Sequence, residues 1–240
     1  MFILALDTCD ARGGVALLRD DSLLQSEAHT TAADYSSWLL PAINRVLAPA
    51  ALTLRDVELY AVAAGPGSFT GVRVGLTTVK AWSEVYSRPI AAVSRLEAVA
   101  SESTGSAPYV AAFIDARRNQ VFAALYRRQA TTLERLDEEM VIAPDKFLDW
   151  CLDQTGSERI DWVSPDPQCL TQTQEWSSRL GQPSPEGVQW ISPLLALRIG
   201  QIGYRLAQQG RLTDALSLDA NYVRCSDAEL FRKGASHHAK

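Results

Sequence analysis

The sequence predicts an α/β protein of two lobes, the second a smaller, more irregular and degenerate copy of the first. Three observations carry this expectation. An apolar strand closed by an aspartate occurs twice, at Phe2 to Asp7 and at Val110 to Asp115. Each is followed by a second apolar run, Val15 to Leu18 and Val121 to Tyr126, so the echo covers a strand pair. Beyond each pair, strand-like runs alternate with amphipathic helical stretches, the order of a mixed sheet covered by helices. With 240 residues, 47% of them hydrophobic, the chain can fill the cores of two such lobes.

Taken in order, Phe2 to Asp7 is the first strand, Gly13 and Gly14 break it, and Val15 to Leu18 and Leu23 to Ala28 complete three antiparallel strands around the Asp20-Asp21 turn. From Asp34 to Ala48, Tyr35, Trp38, Leu39, Ala42, Ile43, Val46 and Leu47 recur at three- and four-residue steps and line one face of a helix. Pro41 is expected to kink that helix or to set its effective start. Leu59 to Ala64 is a short buried strand, Gly65 to Gly71 a turn, Val72 to Tyr86 a second helix and Ile90 to Val93 a fifth strand. This completes a five-stranded first lobe, residues 1–105. In the second lobe, residues 106–190, the expected sequel is a strand around Thr131 to Leu136, a helix at Asp145 to Asp153, a strand at Ile160 to Val163 and a helix near Gln168 to Leu180, with Pro183, Pro185 and Gly187 marking a loop. Leu194 to Gln208 is a last amphipathic helix closed by Gly210. That helix and its return segment, residues 191–230, are expected to pack at the lobe interface, leaving 231–240 as a flexible tail.

The formal charge of −5 argues against a chain that grips phosphate backbones by itself, since that affinity comes from clustered Lys and Arg. Cys9, Cys151, Cys169 and Cys225 form no CxxC pair, so neither a zinc ribbon nor a compact disulfide framework is encoded and the thiols read as reduced. The strand-like opening lacks the features of a signal peptide, and no apolar run approaches the length of a membrane span, so a cytoplasmic protein with no membrane partner is expected. With only His29, His237 and His238, a histidine-built metal site is not expected.

Several motifs are open to two uses. Asp7-Thr8 ends the first strand, where an acid and a hydroxyl suit a hydrated Mg²⁺ and a nucleotide phosphate; the alternative is a turn-initiating aspartate. The run Gly65-Pro66-Gly67-Ser68-Phe69-Thr70-Gly71 brings glycines and capping hydroxyls to a helix start, which favours an anion. It is not a Walker A loop, because Val72 and Arg73 stand where Lys and Ser/Thr are required. A purely structural turn is its other reading. Gly71 and Gly75, one helical turn apart, leave a bare stripe that fits either close packing on the chain's own sheet or a partner helix. No G-x-S-x-G elbow is present, and a Ser-His-Asp triad is not supported. Arg117 and Arg118 fit an acidic ligand or a solvated hairpin bend, and Glu134, Asp137, Glu138 and Glu139 a solvated edge.

Four segments together resemble a known family: Ile3-Leu4-Ala5-Leu6-Asp7-Thr8, Gly65 to Gly75 with the pattern GPGSFTG-x-R-x-G, Ile114-Asp115-Ala116-Arg117, and Tyr222-Val223-Arg224. In register from residue 3 to about 229, the chain resembles the TsaB family of the bacterial system that threonylcarbamoylates adenosine 37 of tRNAs reading codons that begin with A. The resemblance implies a two-lobed actin-like, ribonuclease-H-like fold and an accessory, non-catalytic subunit that binds TsaD together with TsaE. It also implies a possible TsaB homodimer, tRNA met only through the complex, and no cofactor. The metal-binding histidine pair of the TsaD relatives has no counterpart here, and Tyr35 stands where family members often carry a histidine. Actin-like ATPases clamp phosphate with a second Asp-x-Gly, whereas Asp115 is followed by Ala116 and Arg117. Asp7, Thr8, Gly65, Gly67, Ser68 and Thr70 are therefore expected to form a weak or vestigial phosphate site. Trp38, Leu39, Ile43, Val46, Gly71, Val72, Gly75, Leu76 and Val79 are expected to meet the matching helices of a partner. The rival expectation is an active kinase, ATPase or metallopeptidase of the same superfamily.

Overall fold

The computed structural model describes residues 1–29, 34–130, 132–179 and 187–223. Strands β1 (Phe2–Asp7), β2 (Gly14–Arg19), β3 (Ser22–Ala28), β4 (Leu59–Gly65) and β5 (Ile90–Ser94) form a first sheet in the order β3-β2-β1-β4-β5. The β1–β2 and β2–β3 pairs are antiparallel, while β1–β4 and β4–β5 are parallel. Strands β6 (Tyr109–Asp115), β7 (Val121–Arg128), β8 (Leu133–Arg135), β10 (Ile160–Ser164) and β11 (Val188–Trp190) repeat that layout as β11-β10-β6-β7-β8, with β9 (Met140–Ile142) also pairing with β7. The strand echo thus reports a duplicated topology, with antiparallel β6–β7 answering β1–β2 and parallel β6–β10–β11 answering β1–β4–β5.

Helices α1 (Tyr35–Leu47) and α2 (Phe69–Tyr86) cover one face of the first sheet. In the second lobe α4 (Pro144–Thr155) and the short helices α5 (Gln168–Thr171) and α6 (Gln174–Arg179) form the outer layer. The remaining two helices connect the lobes. Helix α3 (Arg95–Ala100), which leaves the first sheet, packs on β6 and β7 of the second, and α7 (Ala196–Gln208), which leaves the second, packs on β1, β2 and β4 of the first. Arg205 on α7 binds Glu97 on α3 at 2.5 Å, and Arg198 binds Glu102 at 2.8 Å.

This exchange explains the burial pattern. Val110, Ala112 and Ile114 on β6, with Phe122, Ala124 and Tyr126 on β7, share one continuous core with the first lobe. Their alternating neighbours Tyr109, Ala111, Phe113, Val121, Ala123 and Leu125 face a second core beneath α4 to α6. A strand with an apolar layer on both sides reads as an unbroken hydrophobic run, which is how β1, β4 and β6 read.

Some expectations shift in detail. Helix α2 starts at Phe69, three residues before Val72, because the Ser68 side chain accepts a hydrogen bond from Gly71 N and caps it there. Pro41 lies inside α1 without ending it. The helix expected from Gln168 divides in two where the Thr173 hydroxyl donates to Leu170 O at 2.7 Å and accepts from Trp176 N at 3.3 Å. Gly210, at φ +68°, follows α7 as a left-handed stop. Helix α3 is an unanticipated element, although Ser94-x-x-Glu97 before Leu96 to Ala100 is a capping-box pattern and Ser94 Oγ accepts from Glu97 N at 3.1 Å. Strands β9 and β11 are also additions. Leu180, Pro183, Pro185, Arg224, Cys225 and both tail histidines lie outside the described residues.

Candidate functional site

Where β1 and β6 end, the two lobes face each other across an open cleft of about 1670 Å³. The first lobe contributes the β1–β2 turn and the start of α2, the second the β6–β7 turn and the segment after β10, and Asn221 to Val223 close one side.

The floor is built around the exit of β1. Asp7 is fully buried, with Oδ1 accepting from Cys9 N at 3.0 Å and Oδ2 accepting from Arg95 Nε at 3.2 Å. Arg95, the first residue of α3, is 1% exposed and also donates through Nη2 to Asp10 Oδ2 at 3.3 Å. Burial works against the charge on its guanidinium, but the Asp7 and Asp10 carboxylates outweigh it and raise the pKa above the ordinary arginine value. Burial would likewise raise the Asp10 carboxyl, yet Arg95 and the hydrogen bond from Arg12 outweigh it and pull the pKa down to about 2. Burial and the Asp7 charge push the Cys9 thiol well above its usual range, which keeps it protonated and unreactive. The Thr8 hydroxyl donates to Gly71 O at 2.6 Å.

The glycine-rich turn receives this same backbone. A Cβ on Gly67 would stand 2.3 Å from Cys9 O, one on Gly71 would stand 2.1 Å from Thr8 O, and one on Gly75 would stand 2.6 Å from Thr8 Oγ1. Ser68 N donates to Cys9 O at 2.7 Å. The space that three missing side chains leave is thus taken by Thr8 and Cys9, just beyond β1, and the Ser68 amide is used there too. Of the residues expected to hold phosphate, Thr8, Gly67, Ser68 and Thr70 line the cleft. Gly65 is buried at φ +114° against Asn221 O, and Asp7 is buried beside Arg95. A hydrated divalent cation does not fit this donor set: the carboxylate already has a guanidinium, and the neighbouring hydroxyl is committed as a donor. Among the described residues no three His, Cys, Asp or Glu side chains form a metal-ligand group.

The expected partner stripe requires correction. Trp38, Leu39, Ile43 and Val46 on α1 and Gly71, Val72, Gly75, Leu76 and Val79 on α2 are all buried within the first lobe. The two glycines admit Thr8 instead of a partner helix, and the apolar positions beside them fill the space between α1, α2 and the sheet. One amphipathic helix presents one apolar stripe, and here the sheet takes it.

The second lobe meets the cleft differently. Asp115 accepts from Arg117 N at 2.7 Å and pairs with Arg117 Nη1 at 3.0 Å in a turn where Arg117, Arg118 and Asn119 all have positive φ. Asp166, buried after β10, accepts from Asp115 N at 3.2 Å and from Arg12 Nη2 at 2.9 Å. Arg12 Nη2 also binds Asp10 Oδ2 at 2.8 Å. Arg12, Asp10, Arg95 and Asp166 were not legible as site residues, since their partners lie up to 154 positions apart and none belongs to a recognisable local motif. His29 is buried, with Nδ1 2.9 Å from Ala11 O and its ring stacked on Tyr35, so the histidine-to-tyrosine difference at position 35 lies in a packed aromatic cluster with Trp38.

A family model described as "TsaD: tRNA N6-adenosine threonylcarbamoyltransferase" matches residues 27–167. A Bacillus subtilis (strain 168) protein named "tRNA threonylcarbamoyladenosine biosynthesis protein TsaB" is 34% identical over 145 residues, 60% of this chain and 63% of its own length. The Escherichia coli (strain K12) protein of the same name is 31% identical over 148 residues, 60% of this chain and 64% of its own. The matched region therefore spans a little under two thirds of these curated relatives. Among solved structures, "YeaZ from Pseudomonas aeruginosa" superposes with a TM-score of 0.71 at 26% identity, covering 92% of this chain and 99% of that one. The fold is the two-lobed actin-like one that the TsaB resemblance implies.

Proposed function

Since the chain belongs to the family described as TsaD: tRNA N6-adenosine threonylcarbamoyltransferase, we propose that it acts in forming threonylcarbamoyladenosine on tRNA as a non-catalytic subunit. In this reading it binds and activates a TsaD-type transferase, a TsaE homologue completes the assembly, and tRNA is met only through the complex. The names of the Bacillus and Escherichia relatives support the pathway. The observation that carries the accessory role is the buried Arg95–Asp7 pair, at 1% and 0% side-chain exposure, which puts a fixed guanidinium on the carboxylate that would otherwise be open to a hydrated cation and a nucleotide phosphate. The internal His29 is committed to Ala11 and Tyr35, and no described helix holds two histidines one turn apart.

The partner surface in this proposal is the outward side of the two first-lobe helices. Leu40 on α1 is 54% exposed and Val85 on α2 71% exposed, and Thr77 and Ala81 present small side chains along α2. A small-residue strip lets another helix approach closely, and exposed apolar side chains beside it supply area to bury. The test has two parts. Thr77→Arg with Ala81→Arg should leave the circular-dichroism spectrum unchanged and weaken a complex with the host's TsaD by about a hundredfold, through unpaired buried charge. Wild-type affinity in calorimetry rejects the surface. The role itself is tested by tRNA modification with TsaD and TsaE, which should fall to background without this chain.

A further inference from the structure

Five ionised side chains cross the cleft in unbroken alternation: Asp7, Arg95, Asp10, Arg12 and Asp166, with successive nitrogen–oxygen distances of 3.2, 3.3, 2.8 and 2.9 Å. Asp7 ends β1, Arg95 opens α3, Asp10 and Arg12 form the β1–β2 turn, and Asp166 belongs to the second lobe. We infer that this series is a latch between the lobes, setting the width of the cleft with the protein's own charges in the place where the sequence alone suggested a cation and a phosphate. The inference is independent of the proposed partner.

The latch is asymmetric. Arg12 is 42% exposed and keeps Asp10 when the lobes part, so the first lobe loses little. Asp166 is 7% exposed, and among the described residues Arg12 is the cation bound to it. Opening would leave that carboxylate with the Asp115 amide and without its counter-charge, whereas the closed rim keeps the pair together and largely shielded from water. The penalty therefore falls on the second-lobe edge formed by the β6–β7 turn and the segment after β10. Away from this edge the shared core around α3 and α7 continues to join the lobes, as does Glu139, which binds the Ser94 hydroxyl and accepts from Asn221 Nδ2 at 2.5 Å. Opening is thus a local parting of the cleft rim rather than separation of the lobes.

Hydrogen–deuterium exchange on the full chain tests this. Arg12→Ala and Asp166→Asn are each expected to speed amide exchange about tenfold in residues 115–120 and 164–170 while leaving α3 and α7 at wild-type rates. Unchanged exchange at the rim in either variant overturns the latch. A rise of equal size in α3 and α7 also overturns it, because the pair would then be supporting the whole fold. A thermal melt of each variant distinguishes a folded, locally opened protein from a globally destabilised one.

Discussion

The ends of β1 and β6 are equivalent in topology and opposite in physics. Each is the middle strand of its sheet, each closes in an aspartate, and each runs into an antiparallel neighbour, with Asp7 opposite Gly14 and Asp115 opposite Val121. Asp7 is fully buried and paired with a buried arginine. Asp115 is 28% exposed, and its partner Arg117 is 81% exposed. The same strand ending is therefore an internal structural centre in one lobe and a surface turn in the other. What decides between them is how other elements meet the strand end: the glycine-rich start of α2 receives Thr8 and Cys9, next to Asp7, and α3 brings Arg95 to its carboxylate, whereas Asp115 is followed by the tight left-handed run from Arg117 to Asn119.

That contrast is broken most directly at the two arginines. Arg95→Met leaves Asp7 buried without its cation and should cost about 3–5 kcal/mol in urea unfolding. Arg117→Met removes a solvent-screened pair and should cost less than about 1 kcal/mol. Equal midpoints for the two variants would show that the buried pair contributes no more than the exposed one.

A smaller effect separates the two turns. Gly71→Ala drives a methyl group toward Thr8 O, a backbone atom that can yield only if β1 or α2 moves. A loss of about 1–3 kcal/mol is expected. Ala116→Gly in the second lobe should cost under about 1 kcal/mol, the price of added chain freedom. Thermal melts of both check the ranking, and a harmless Gly71→Ala would mean that the glycine stripe is not packed as described.

Acid titration gives the next step. Burial would raise Asp10, but Arg95 and Arg12 hold it at about 2, below its ordinary value of 3.8. A depressed carboxyl contributes stability above its unfolded pKa and loses it as pH falls through the folded one. The Asp10 contribution should therefore be intact at neutral pH and vanish between about pH 4 and pH 2. Asp10→Asn should flatten the stability profile in that window, which denaturant midpoints measured across it will show. An unaltered slope contradicts the ion series.

The smallest expected response is to nucleotide. With the end of β1 closed by Arg95, millimolar Mg-ATP should move the melting temperature by less than about 1 °C, since only a ligand well above its Kd stabilises the folded state appreciably. A rise of several degrees that Asp7→Asn abolishes would place a working phosphate site in the first lobe and favour the enzyme alternative.

Much of the fold is visible in short-range pattern. Apolar runs closed by turn residues locate β1 to β7, and three- and four-residue spacing locates α1, α2 and α7, because these elements bury faces whose period the sequence must carry. Strands β9 and β11 have three residues each, too few for a period to register. Helix α3 was obscured because its first residue is a charged arginine at the point where an apolar face would be expected. The glycine-rich block was legible as a place of close approach, but not what approaches it.

By itself, the sequence determined the duplicated strand order, the closing aspartates, the acidic balance that disfavours a lone grip on nucleic acid, and the glycines that had to receive something. Each of these depends on residues near one another in the chain or on simple sums of charge. Tertiary structure decided what filled the glycine stripe, which side of α1 and α2 faces outward, and that Arg95 and Arg12 stand between aspartates from distant segments. Periodicity specifies that a helix has an apolar face but not which neighbour covers it, and an ion pair between residues 12 and 166 exists only once two sheets and the helices exchanged between them have placed those side chains 2.9 Å apart.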